Sequence, residues 1–219
     1  MQTPSILQPF IHNHQLNIIQ KQANFLLKTM RSVADRKVLA TVRDTAVNNV
    51  VDAFGALTPE QYELLEQLSS YEAAHELQQY VDQLDRYVVP FPAVSPQHIQ
   101  KLFPKTKKLK VPNLETIDWL HTTYLRWIDI ATNRLYIVYP HEGKLIGLEG
   151  QITPMNKNGF CMFCHRNQEL GFFNVKMKKG SSPDNFASLG QYVCMDNEAC
   201  NHNITSTFAL ERFIQSASK

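Results

Sequence analysis

The chain has 219 residues, with 22 basic and 20 acidic side chains, 43% hydrophobic and 19% charged residues. That is enough apolar material for one large or two small packed domains and too much for a disordered chain, and no run approaches the ~18 consecutive apolar residues of a membrane span. A formal charge of +2 gives no support for a nucleic-acid binder from bulk charge alone, and the opening MQTPSILQPFIHNHQ lacks the basic and apolar regions of a secretory leader.

The charge is unevenly placed. Residues 1–90 hold 7 basic and 10 acidic groups, and residues 91–219 hold 15 and 10. Residues 10–33 carry Phe10, Ile11, Ile18, Ile19, Phe25, Leu26, Met30 and Val33 in a drifting stripe that predicts a long amphipathic helix. Val38, Leu39, Val42, Ala46, Val50 and Phe54 predict a second, with Gly55 as its stop. Thr58-Pro59-Glu60-Gln61 predicts a third start: Thr58 as cap, Pro59 in the first turn, Gln61 closing a capping box. Ser69-Ser70 breaks that helix before a fourth, with Ala73, Leu77, Tyr80, Val81 and Leu84 inward. The expectation for residues 1–87 is a small antiparallel helical bundle. His12, His14 and His75 have no partner group at useful spacing and read as solvated helix-face residues. Glu60, Glu63 and Glu66 read as complements to a helix dipole.

The pattern changes at Tyr87-Val88-Val89-Pro90-Phe91-Pro92, which is extended because residues before proline leave the α region. Ser95 and Pro96 then cap and open a short helix that ends near Phe103. Lys101, Lys105, Lys107, Lys108 and Lys110 follow within ten residues. They can bind phosphate, but without interleaved aromatics, arginines or a glycine-rich loop the plainer reading is a solvated surface loop. Beyond Pro112 the period becomes two. Residues 124–128, 135–139 and 145–150 read as strands of an antiparallel meander, with turns at 131–134 and 141–144.

All four cysteines lie between positions 161 and 200, as C-x2-C and C-x5-C pairs: Cys161, Cys164, Cys194 and Cys200. Without a leader, disulfides are the less favoured use of four cysteines, and two pairs fit a closed tetrahedral zinc site with no open position for catalysis. Asn158-Gly159 reads as the flexible backbone of the knuckle. His165 and His202 sit beside ligands but are not needed once four thiolates complete the shell. Residues 170–177 and 190–194 read as a hairpin, and 205–216 as a helix with Phe208, Leu210, Phe213 and Ile214 apolar. Knuckle, hairpin and helix in that order are the layout of a treble-clef finger over about 156–216. On strand 172–178, Phe173, Val175 and Met177 share one side, and Phe172, Asn174, Lys176 and Lys178 the other. Phe172 therefore either stands exposed among lysines as a protein or RNA contact or packs under the 180–189 loop.

The stretches YVVPFPAVSPQHIQKLFPKTKKLKVP (87–112), ATNRLYIVY (131–139), GFCMFC (159–164) and GQYVC with the downstream Cys200 together resemble the FusB-type fusidic acid resistance proteins, also called elongation factor G-binding proteins. The resemblance implies an α+β chain with a helical bundle at 1–87 and an α/β domain at 88–219 that carries an antiparallel sheet and the C-terminal treble clef. It implies binding of elongation factor G mainly through the zinc-bearing domain, and release of the factor from ribosomes where the drug has trapped it. The drug itself is neither modified nor degraded. Cys161, Cys164, Cys194 and Cys200 inherit the role of ligands to one structural Zn²⁺. The partner surface falls near the finger, and position and chemistry nominate Phe160, Phe172, Lys176, Lys178, Tyr192 and Phe208. The expected protein is a cytoplasmic, non-enzymatic monomer with no membrane partner and no direct RNA binding. The alternative, an RNA-binding zinc-finger protein of the ribosome, would rest on the lysines and exposed aromatics. The acidic first half counts against it, and no nucleophile–base pair supports an enzyme.

Overall fold

The computed structural model describes residues 7–178 and 186–217. The chain gathers into two compact units that part between Val89 and Pro90.

In the first unit, local capping chemistry sets where the helices begin. Four helices follow one another: α1 (Asn13–Ser32), α2 (Arg36–Val51), α3 (Pro59–Glu66) and α4 (Ala74–Gln83). Asp35 caps α2 by accepting from the Lys37 and Val38 N–H groups. Thr58 caps α3, and Gln61 reaches back to accept from the Thr58 N–H at 2.9 Å, so the capping box forms as its residues predict. Of the three glutamates, Glu60 alone lies in the first turn; Glu63 and Glu66 lie further along, Glu66 at the last position, so the dipole argument holds for Glu60 only.

Other expectations for this unit also fail. Helix α2 ends at Val51, short of Gly55, whose φ is not positive. The end is made by a tightened turn, in which Ala53 and Phe54 donate to the Val50 and Val51 carbonyls, and by Gln15 Nε2, which donates to the Ala53 carbonyl at 2.9 Å. The inward face of α1 also differs from the stripe: Leu16, Ile19, Ala23 and Leu26 are buried together with Asn13, Gln15 and Asn17, while Phe25 is exposed. Of these buried amides Gln15 serves the neighbouring backbone, at the Ala53 carbonyl, as well as the core. His75 is exposed, but His12 is the residue before α1 and stacks on the half-buried His14, ring centroids 5.9 Å apart. The ends of the unit meet where Phe10 and Ile11 N–H donate to the Tyr87 carbonyl and Val89 N–H to that of Ile11.

The second unit opens with α5 (Pro96–Leu102), whose cap Ser95 accepts from the His98 N–H. A single antiparallel sheet follows in the order β1 (Leu125–Asp129), β2 (Arg134–His141), β3 (Lys144–Phe160), β4 (Asn167–Lys178) and β5 (Phe186–Cys194). The meander and the hairpin expected as separate pieces are thus one sheet, because β3 is 17 residues long and changes partner along its length. From Lys144 to Gln151 it pairs with β2; from Gln151 to Phe160 it pairs with β4, through an irregularity between Pro154 and Asn158. Both faces are covered over β2. Leu135, Ile137 and Tyr139 enter a core shared with the cysteines, Phe163, Phe173 and Phe213, while Tyr136 and Val138 enter another with Phe91, Ile99, Phe103 and Leu109. Phe103 and Leu109 anchor the lysine-rich segment, and its five lysines are all exposed, Lys101 in the last turn of α5 and the other four beyond it. After β5 come α6 (Asn197–Asn203), which the sequence reading missed, and α7 (Phe208–Ala217). Among the described residues no helix is long and apolar enough to cross a membrane.

Candidate metal centre

Cys161 and Cys164 lie on the turn between β3 and β4, Cys194 ends β5, and Cys200 sits within α6. The x5 spacing of the second pair now has a cause. Met195 leaves the strand, Asp196 caps α6 by accepting from the Ala199 N–H, and the first turn of the helix presents Cys200. The knuckle is made differently from the expectation. Asn158 and Gly159 are paired within the sheet, opposite Glu169 and Gln168. A Cβ at Gly159 would stand 2.7 Å from Leu170 Cδ1. The left-handed residue of the knuckle is His165, at φ 55°. Its N–H donates to the Cys161 carbonyl, and the Cys161 N–H to the Arg166 carbonyl.

The four sulfurs are buried and lie within 4.8 Å of one another. Cys161 and Cys200 Sγ are 3.8 Å apart, and Cys164 and Cys194 Sγ 3.5 Å. A disulfide would need about 2.05 Å, whereas four thiolates at ~2.3 Å from one zinc stand about 3.8 Å apart on a tetrahedral edge. The donor set therefore fits a closed zinc site with one ion. Phe163 and Cys194 N–H groups donate to Cys161 Sγ at 3.4 and 3.3 Å, the backbone donors that a thiolate accepts. Without a cation four adjacent thiols cannot all ionise. Hydrogen bonds from Cys164, Cys194 and Cys200 hold Cys161 far below the thiol range, and hydrogen bonding to Cys161, Cys164 and Cys194, with burial, pushes Cys200 far above it. A dication removes that conflict by favouring the thiolate at every position. His165 and His202 are exposed and outside the cluster.

Three residues that sequence reasoning passed over hold this centre. Tyr124 donates its hydroxyl to Cys200 Sγ at 2.9 Å, and burial raises its phenol well above the ordinary range. Asn201, 3% exposed, accepts from the Thr123 and Tyr124 N–H groups and donates to the Tyr124 carbonyl, which pins α6 to the start of β1. Arg126, also 3% exposed, donates Nη2 to the Met195 carbonyl at 3.0 Å, while its Nε and Nη1 have no hydrogen-bond partner among the described residues. A buried guanidinium needs a nearby negative charge. Four thiolates with one Zn²⁺ carry −2, and Arg126 is tied to the backbone next to Cys194, at the Met195 carbonyl. No pattern in the sequence marks these residues, since each acts across about 70 or more positions.

The nominated surface residues divide. Phe160, beside Cys161, is 73% exposed, Tyr192 is 44% exposed and Phe208 64%. Met162, unremarked in the sequence, is exposed next to Cys161 and donates its N–H to the Tyr192 carbonyl. Phe172 is half-buried and lies over Gly190, where a Cβ would meet its ring at 2.3 Å, and beside Tyr192, with centroids 5.3 Å apart. It does not stand free among lysines; the loop proposed to cover it lies largely outside the described residues, at 179–185. Lys176 is exposed. Lys178 pairs through its backbone with Phe186, and its side chain lies outside the described residues.

Two family models match the chain. One, for the elongation factor G-binding protein N-terminal region, matches residues 10–92, and one, for the FBP C-terminal treble-clef zinc-finger, matches residues 102–216. Among solved structures, that of the fusidic acid resistance protein FusC is similar over 98% of this chain and 100% of that chain, with 26% identity and a TM-score of 0.81. Comparison with curated proteins finds no match.

Proposed function

Because the chain belongs to the elongation factor G-binding protein family, we propose that it binds elongation factor G and promotes its release from ribosomes on which fusidic acid has trapped it. The observation that carries this reading is the order and reach of the matches: both family regions in sequence, and a likeness to a fusidic acid resistance protein over the whole length. Release needs no bond-breaking chemistry. A partner shifts a trapped factor toward the free state by binding the released or release-competent form better than the trapped one.

In this reading a helical domain at 1–87 precedes the zinc-bearing domain at 88–219, and Cys161, Cys164, Cys194 and Cys200 hold one structural zinc. The metal fixes the knuckle whose flanks carry Phe160 and Tyr192, the aromatics nominated for contact with the factor. Phe172, Lys176, Lys178 and Phe208 complete that nominated surface. The protein acts as a cytoplasmic, non-enzymatic monomer without direct RNA or membrane contact.

The test is calorimetric titration of the zinc-loaded chain into elongation factor G, at moderate salt and without RNA, with sedimentation of fusidic-acid-stalled ribosomes in parallel. A saturable complex and loss of the factor from the ribosome pellet are expected. No complex at roughly tens of micromolar, about 6–7 kcal/mol of binding, overturns the reading. Binding without release removes the release step and keeps the partner.

A further inference from the structure

The five-stranded sheet is not closed from side to side. β3 pairs with β4 only from Gln151 onward, and β4 with β3 only up to Asn174. Before Gln151, β3 is held by β2 alone; beyond Asn174, β4 is held by β5 alone. The two hairpins therefore diverge, and Gly150 marks the fork: a Cβ there would stand 2.4 Å from the Asn174 carbonyl oxygen. The space between the arms is a cleft of about 520 Å³, within the range of ligand sites. Its walls are the Gly147–Gln151 stretch of β3 and the Asn174–Lys176 stretch of β4.

Each wall has spent one edge of its strand on its own hairpin partner and turns the other toward the cleft. Strand edges facing each other across a gap are a template for an added strand. The charge around the gap selects the occupant. Lys105, Arg134 and Lys176 line it, and Glu149 is the one acid among its described lining residues. Glu149 already accepts from Arg134 at 3.1 Å and from the Thr106 hydroxyl at 2.7 Å. Lys105 and Lys176 have no ion pair among the described residues, so the cleft carries uncompensated positive charge.

We propose that the fork between β3 and β4 is a binding site for an extended acidic peptide segment, which adds as a short strand between the hairpins with its carboxylates on Lys105 and Lys176. Gly150 is already against Asn174 at the apex, so Gly147–Glu149 leave room for about three residues of peptide, roughly 10 Å. The cleft shares Lys176 with the nominated elongation factor G surface, but none of the four cysteines lines it, and the proposal does not rest on that reading.

The test uses the full zinc-loaded chain and a fluorescein-labelled octapeptide that alternates Glu with Val, followed by anisotropy and by ¹H–¹⁵N spectra. Saturable binding is expected, at least tenfold tighter than for the same peptide with Lys in place of Glu. Shifts are expected in the amides of 147–151 and 174–176. The double variant Lys105→Glu, Lys176→Glu changes two exposed side chains, so its fold and zinc content should be retained while affinity falls at least tenfold. N-methylation of alternate peptide amides should also abolish binding, which separates strand pairing from plain charge attraction. Binding unaffected by charge reversal or by N-methylation overturns the proposal. So does preferential displacement of the peptide by a single-stranded RNA oligonucleotide. Elongation factor G binding measured on the single variant Lys105→Glu, which leaves the nominated surface intact, reports the other reading independently.

Discussion

The helical unit and the zinc unit keep their cores closed by different means. In the first, stability is spread over many small contributions: Leu16, Ile19 and Leu26 on α1, Ala46 and Val50 on α2, Leu65 and Leu77 beyond them, and the Gln15 and Tyr80 side chains bonded to neighbouring backbone. In the second, the sulfurs of Cys161, Cys164, Cys194 and Cys200 stand inside the same core as Phe163, Phe173 and Phe213. One ion there joins the knuckle, the end of β5 and α6. The difference is between a structure that loosens by degrees and one that depends on a single crosslink whose loss also strands four thiols in an apolar interior.

The comparison can be broken with one optical signal, because both tryptophans, Trp119 and Trp127, belong to the second unit. Removal of zinc with a strong chelator has the largest expected effect, since structural zinc contributes roughly 10–16 kcal/mol of apparent folding free energy in finger peptides. Tryptophan emission should shift to the red while most helical circular dichroism survives. Emission that stays unchanged after full metal removal would mean that the core closes without the ion. Leu16→Ala should do the converse: a cost of about 2–5 kcal/mol from a fully buried position, seen in helical signal at lower denaturant, with tryptophan emission and zinc content unmoved. If both signals fall together, the units are not energetically separate.

Two further substitutions resolve how the metal centre is supported. Asn201→Ala leaves the Thr123 and Tyr124 N–H groups and the Tyr124 carbonyl without the partner that pins α6 to β1. About 3 kcal/mol is the expected loss for stranded buried groups, read as a lower midpoint of the tryptophan transition. A loss under about 0.5 kcal/mol would show that α6 is held by the metal alone. Arg126→Met tests the electrostatic part. It should retain the fold but lower zinc affinity about tenfold in competition with a chelator, the scale of outer-shell changes, and Arg126→Lys should recover part of that. Wild-type affinity in Arg126→Met would leave the guanidinium with no role at the metal.

What could be read in the sequence is what is local. Thr58 to Gln61 and Ser95-Pro96 form their caps because each cap closes over three or four residues. β2 is legible because alternate residues enter two different cores. The cysteine pairs are legible because ligand spacing is short-range chemistry. The far half of β3 is not: Pro154 and Asn158 argue against a strand, and pairing with Gly171 and Glu169 overrides them, while Asn156 keeps a left-handed φ of 51° in the irregularity between them. Asn201 and Arg126 are opaque for the same reason, as their partners are about 70 or more residues away. Gly159 shows how a correct residue can be read for the wrong cause. It sits paired in the sheet, where a Cβ would stand 2.7 Å from the end of the Leu170 side chain, while the knuckle takes its left-handed turn at His165.

The smallest expected effect is the most direct check on the distributed character of the helical unit. Thr58 accepts from the Gln61 N–H at 3.3 Å, and Gln61 answers at the Thr58 N–H. Thr58→Ala removes the hydroxyl half of that exchange and should cost about 1 kcal/mol. For a unit of this size that is a fall of about 4–8 °C in the helical melting transition. Because α3 contributes Leu65 to the core, its fraying should spread to the unit as one cooperative change. The tryptophan transition should not move at all. If it does, or if the helical transition splits in two, the bundle is not a single cooperative body, and the contrast with the metal-centred unit has to be redrawn at the level of individual helices.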